Sequence, residues 1–169
     1  MAGKLILRPA TLDDIPLLEA WDEKPHVIAA SGRDDGLDWA DELAAQSEVN
    51  QYVIAEEDGR PVGVMQIIDP HLEPTHYWGE IEPDLRALDI WIGEETDLGR
   101  GLGTEMMRLA LDHCFSEPRV KAALVDPLVT NTDAHRFYEK AGFKRVERRM
   151  FGEDDCYVYR LECADWEKR

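Results

Sequence analysis

The chain has 169 residues, 44% of them hydrophobic and 33% charged, enough for one compact domain burying roughly 70% of its unfolded surface and too few for a second full-sized one. Asp and Glu number 36 against 19 Lys and Arg, a net charge of -17. Such a field repels phosphate backbones and anionic membranes and draws in cations, which argues against nucleic acid as a main partner.

Five Trp, five Tyr, four Phe and periodic apolar runs argue against disorder. No apolar run approaches the ~18 to 20 residues of a membrane-spanning helix, and Met1 to Arg8 lacks the apolar centre of a secretory signal, so the chain reads as cytoplasmic. Cys114, Cys156 and Cys163 are odd in number and show no metal-ligand spacing, so reduced thiols and no metal are expected.

Lys4 to Arg8 is β-prone, and Thr11 is placed to cap a helix carrying Asp13 and Asp14 in its first turn and Ile15, Leu18 and Trp21 at helical spacing. A weaker helical stretch near Leu37 to Gln46 follows the loop Ser31-Gly32-Arg33-Asp34-Asp35-Gly36, which reads as mobile. Tyr52 to Glu56 and Pro61 to Ile68 are β-rich and flank an Asp58-Gly59 pair, a hairpin signal. Leu85 to Ile92 is a further strand. Strand and helix then alternate: a helix over Thr104 to Phe115, a strand over Val120 to Val125, a helix over Asp133 to Ala141 stopped by Gly142, and a strand over Tyr157 to Leu161. The alternation predicts crossover connections and a partly parallel sheet in a single α/β domain.

Between the strand ending at Ile92 and the next helix lies Leu98-Gly99-Arg100-Gly101-Leu102-Gly103-Thr104. Its glycines leave backbone amides uncovered at a helix N-terminus, where they and the helix dipole favour a phosphate or pyrophosphate. The spacing fits neither a P-loop nor a dinucleotide fingerprint. Asp89 stands in Leu88-Asp89-Ile90-Trp91-Ile92, where an ionised carboxylate is costly unless it faces a cleft or a partner. Asp126 precedes Pro127 at the end of the next strand. Nine acidic residues between Asp69 and Asp97 face one basic residue, Arg86, a run that is either a solvated face or a field for a polycation.

The segment from Asn131 to Phe143, with its Tyr138-Glu139-Lys140-Ala141-Gly142-Phe143 block, together with Arg100-Gly101-Leu102-Gly103-Thr104 about thirty residues earlier, resembles the GNAT superfamily of N-acetyltransferases. Tyr77-Trp78-Gly79-Glu80, Arg86-Ala87-Leu88-Asp89, the glycine loop, Asp126-Pro127 and Asn131 resemble the aminoglycoside 6′-N-acetyltransferases within it. Leu98 departs from the family's Arg or Gln at that place, a change that a cradle built from backbone amides tolerates. The resemblance implies an α/β (α+β) fold, a mixed central sheet flanked by helices, in one domain over residues 1–169.

It further implies acetyl-CoA as co-substrate. Its pyrophosphate would lie on Leu98, Gly99, Arg100, Gly101, Leu102, Gly103 and Thr104, and its pantetheine along Ile90, Trp91 and Ile92, with Asn131 and Ala134 on the same side. Asn131 reads equally as a helix cap. Tyr138 matches the family's proton donor to the sulfur, and Asp89 would hold or deprotonate the incoming ammonium. The acceptor, a small cationic amine such as an aminoglycoside or polyamine, would meet Asp126, Asp154, Asp155, Tyr77, Trp78 and Glu80, although core packing serves the two aromatics as well. No nucleic acid or membrane partner is expected, and the protein is expected to be a monomer or homodimer. Siderophore-type hydroxylamine acylation, acetylation of a protein N-terminus and an acyl-CoA sensor without turnover are the rival readings.

Overall fold

A computed structural model describes residues 3–31 and 37–168; of the expected mobile loop, residues 32–36 lie outside the described residues. The strands β1 (Leu5–Pro9), β2 (Asn50–Glu57), β3 (Arg60–Ile68), β4 (Leu85–Ile92), β5 (Ala122–Val125), β6 (Lys144–Phe151) and β7 (Asp154–Glu162) form one mixed sheet in the order β1-β2-β3-β4-β5-β7-β6. β4 and β5 are parallel and the other neighbours antiparallel. The β2–β3 hairpin turns through Asp58 (φ 50°) and Gly59 (φ 85°), both left-handed, as a two-residue turn matched to strand twist requires.

The pairing of β4 with β5 positions the site. Leu85, Arg86 and Ala87 face Ala122, Ala123 and Leu124, but Leu88 to Ile92 continue past the last pair while β5 stops at Val125. The sheet therefore opens at its centre, and Asp89 and Asp126 stand on the two sides of the opening.

Helices cover both faces. On one, α4 (Leu102–Ser116) lays Met106, Met107, Ala110 and Leu111, all at most 1% exposed, against Met65, Leu88 and Ala123. α5 (Thr132–Lys140) adds Tyr138 to that cluster and ends at Gly142, whose φ of 103° confirms the expected left-handed stop. On the other face, Leu18 and Trp21 of α1 (Ile15–Asp22) and Trp39 and Leu43 of α3 (Trp39–Ala44) pack on Tyr52, Ile54 and Val64. Trp78, Phe151 and Val158 form a third cluster beside β5.

Three elements were not anticipated: α2 (Pro25–Ser31), β6 and α6 (Cys163–Glu167). Of the boundaries that differ from expectation, two bear on the site. α4 begins at Leu102 rather than Thr104, because left-handed Gly101 (φ 81°) already serves as its cap. β7 begins at Asp154, so Asp154 and Asp155 sit on a hairpin strand rather than in the loop expected there.

Candidate active site

Directly opposed residues of a sheet share a face, and the register Tyr52↔Gln66↔Asp89 runs one row across β2, β3 and β4. Asp89 is thereby delivered to the opening between β4 and β5, partly exposed rather than sealed in the core. Burial, and then the charge of Asp126, push its carboxyl well above the ordinary range.

Asp126 caps the far side, also partly exposed. Burial raises it to about 6, against the hydrogen bond that Tyr77 Oη donates to its Oδ2 at 2.6 Å; Asp154 raises it further and Arg149 lowers it. Two carboxylates that each resist ionisation, facing one opening, form a site that gains when a cation arrives.

Tyr138 reaches the same place from α5. Its ring is buried at 7% exposure, edge-on to Phe137 and Phe143. Burial, then Asp89 and Asp126, raise its phenol above the ordinary value. It stays protonated at neutral pH, and among the described residues its hydroxyl makes no side-chain hydrogen bond that would occupy the proton.

The glycine loop lies at the end of β4. Gly99 (φ 75°) and Gly101 (φ 81°) are left-handed, and a Cβ at either would project into open space beside the backbone. The Glu105 amide is bonded back to Gly101 O at 3.2 Å, so the amides of Leu102, Gly103 and Thr104 have no partner within the helix. An uncovered row of amides at the positive end of a fifteen-residue helix fits a pyrophosphate. Ile90 and Ile92 pack toward α4, and Trp91 joins the cluster around Trp21.

Other expected contacts fall differently. Trp78 is 3% exposed and meets Phe151 edge-on at 5.0 Å, so it is a core residue with no surface to offer a sugar. Tyr77 is 42% exposed, but one ring face is stacked on Phe151 at 4.7 Å and its hydroxyl is committed to Asp126. Asp155 is bound by Arg148 across the β6–β7 hairpin, whereas Asp154 lies close enough to Asp126 to raise it. Asn131 spends its side-chain oxygen on the Ala134 amide at 3.3 Å, the helix-cap reading. Arg100 gives its guanidinium to Glu57 and Asp97, leaving its backbone to the loop. Glu80 is exposed on the loop after Trp78, and Leu98 is exposed ahead of the glycines.

Phe151 and Arg149 were missed by sequence reasoning. Arg149 donates to Trp78 O at 2.9 Å and lies over the Phe151 ring, so β6 braces the wall that carries Tyr77. A separate surface hollow is lined by Arg86, His113, Cys114 and Glu117 among others and includes none of Asp89, Asp126 or Tyr138. No group of three or more His, Cys, Asp or Glu suited to a metal occurs among the described residues.

Residues 10–151 match the family model described as an acetyltransferase (GNAT) domain. The chain belongs to the GNAT acetyltransferase family; it is an N-acetyltransferase with acetyl-CoA as acyl donor. The aminoglycoside N(6′)-acetyltransferase type 1 of Klebsiella pneumoniae is 30% identical over 148 residues, covering 82% of this chain and 73% of that protein. A lysine N-acyltransferase, MbtK, of Mycobacterium tuberculosis is 28% identical over 142 residues, 82% of this chain and 68% of its own. Among solved structures, aminoglycoside acetyltransferase AAC(6′)-Ib in complex with coenzyme A and kanamycin superposes with a TM-score of 0.87 at 27% identity, over 98% of each chain.

Proposed function

We propose that this acetyltransferase acts on a primary amine of a polycationic small molecule, namely the 6′-amine of an aminoglycoside. The observation that carries the reading is the convergence of Asp89, Asp126 and Tyr138 on the opening between β4 and β5, next to the uncovered amides of the glycine loop. The similarity to aminoglycoside acetyltransferases supports it. The chain is read as one domain over residues 1–169, a monomer or homodimer acting in the cytoplasm; no described helix is long and apolar enough to cross a membrane.

Acetyl-CoA supplies an activated thioester carbonyl. The amides of Gly99 to Thr104 hold its pyrophosphate, and the end of β4 that runs beyond its pairing with β5, Ile90 to Ile92, orients its pantetheine. Asp126 and Asp154 anchor ammonium groups of the acceptor. Asp89, directly or through a water, takes a proton from the reacting ammonium, and the neutral nitrogen attacks the carbonyl carbon as the carbon–sulfur bond breaks. Tyr138 donates its proton to the departing sulfur and is reprotonated as the new amide nitrogen gives up its second proton. An ammonium and a thioester become an amide and a thiol, with one proton released to solvent.

Thiol release should be followed across 6′-amino aminoglycosides, their 6′-hydroxyl counterparts, polyamines, hydroxylamines and N-terminal peptides. Turnover with the 6′-amino compounds and little with the 6′-hydroxyl ones is expected. Equal acetylation of both removes the regiochemical assignment. Preference for hydroxylamine acceptors moves the protein to siderophore-type acylation, the second reading favoured by the lysine N-acyltransferase relative. Coenzyme A binding without thiol release from any acceptor would identify a sensor.

A further inference from the structure

The glycine loop is tied to the rest of the fold by four charged side chains, two from each of two stretches distant in sequence. Arg100, between left-handed Gly99 and Gly101, places Nη2 at 3.0 Å from both Glu57 oxygens and Nη1 at 2.9 Å from Asp97 Oδ1. Arg60 grips Asp97 with both terminal nitrogens, at 2.9 and 3.0 Å, and reaches Glu57 at 3.5 Å. The carboxylates are only 8% and 5% exposed, while both guanidinium groups keep an edge in water. Their residues come from the end of β2, the start of β3, the 3-10 turn over Glu95–Asp97 that follows β4, and the loop itself.

Two features of this cluster bear on the acyl donor. Its charges balance, two against two, in a chain whose net charge is -17. The arginines hold both carboxyls below the ordinary range, so each is ionised at neutral pH, beside a loop whose amides suit a polyanion. Without its guanidinium partner, either carboxylate would oppose an incoming phosphate. The planar fork of Arg100 also spans two carboxylates on different elements, a geometry that an ammonium does not reproduce.

We propose that Glu57, Arg60, Asp97 and Arg100 are positioning residues for acyl-donor binding: the cluster pins the glycine loop to the β2–β3 hairpin and cancels two carboxylates that would otherwise repel the phosphates. The inference rests on the acetyl-CoA reading of that loop. Loss of Arg100 leaves Asp97 with its two bonds from Arg60 but leaves Glu57 with the Gly3 amide at 3.3 Å and a 3.5 Å contact to Arg60, so the exposed charge is chiefly that of Glu57. A variant lacking both Arg100 and the Glu57 charge is balanced again.

The test is calorimetric binding of coenzyme A to the full chain, together with KM for acetyl-CoA, for S-acetylpantetheine, which has the thioester without the phosphates, and for the acceptor. Arg100→Met should raise the Kd for coenzyme A about tenfold, with the loss shrinking at high salt. KM for S-acetylpantetheine and for the acceptor should stay within about twofold. Arg100→Met with Glu57→Gln should recover most of the affinity, and Arg60→Met, which leaves Arg100 in place, should give a smaller rise of about threefold. Should Arg100→Met fail to fold, Arg60→Met alone decides, and an unchanged Kd there overturns the proposal. It is also overturned by unchanged Kd in folded Arg100→Met, by equal losses with S-acetylpantetheine, or by no recovery in the double variant. Failure of the unaltered chain to bind coenzyme A removes the reading of the loop and this inference with it.

Discussion

Asp89 and Asp126 bind protons more tightly in the folded chain than in the unfolded one, so both cost stability where they ionise. A carboxyl with a raised folded value contributes fully below the unfolded pKa, and the contribution is lost as pH rises through the folded value. For Asp126 that window runs from the ordinary 3.8 to about 6. Asp89→Asn should therefore raise the melting temperature of the ligand-free protein at pH 7.5 while lowering kcat/KM at least ~10²-fold, since it removes both charge and basicity. Asp126→Asn should remove that residue's share of the stability change between pH 4 and 6, up to ~3 kcal/mol, and mainly raise the acceptor KM. Melting curves against pH check both signs. Tyr138→Phe keeps the buried ring and removes only the hydroxyl, so kcat should fall ~10²-fold with coenzyme A affinity unchanged; unaltered turnover would return Tyr138 to core packing.

At the scale of elements, glycine geometry makes the sharpest predictions. Gly101→Val puts a β-branched residue at φ 81° and a side chain over the open flank of the loop, so coenzyme A binding should be lost in calorimetry while the fold survives. Gly93 is different: a Cβ there runs into the Trp21 indole, so Gly93→Ala should destabilise by about 1 to 3 kcal/mol, read as a lower melting temperature. The same contrast explains what could be read in the sequence. α4 buries one face and carries the matching period, β2 and β3 are apolar runs buried on both faces, and Asp89 announced itself as a charge in an apolar strand. β6 carries no such signal, because Lys144 to Arg148 are exposed on both faces of an edge strand. The brace from Arg149 to Trp78 and the cluster at Glu57, Arg60, Asp97 and Arg100 join residues far apart in the chain, which no local pattern reveals.

For the whole molecule the question is where the charge of -17 acts. Much of the acidic run is neutralised in place: Asp69 by Arg86, Glu82 by Arg160 and Lys121, Glu94 by Lys24, and Asp97 by Arg60 and Arg100. Glu73 is buried on the amides of Thr75 and Tyr77 and the Thr75 hydroxyl. Of the run, Asp89 alone stands at the opening, beside Asp126, while Glu80 and Glu95 remain exposed and join the net charge as a diffuse background. Background attraction is screened by salt within roughly 8 Å at physiological ionic strength, whereas contacts in a partly desolvated cleft are screened less. Raising salt from ~0.05 to ~0.5 M should therefore raise KM for a polycationic acceptor severalfold without abolishing its use, and KM for acetyl-CoA, an anion approaching an acidic protein, should stay level or fall. Initial rates at several salt concentrations separate the two substrates. Parallel increases in both KM values would mean that salt acts on the fold, and an acceptor KM indifferent to salt would remove the cationic acceptor from the mechanism.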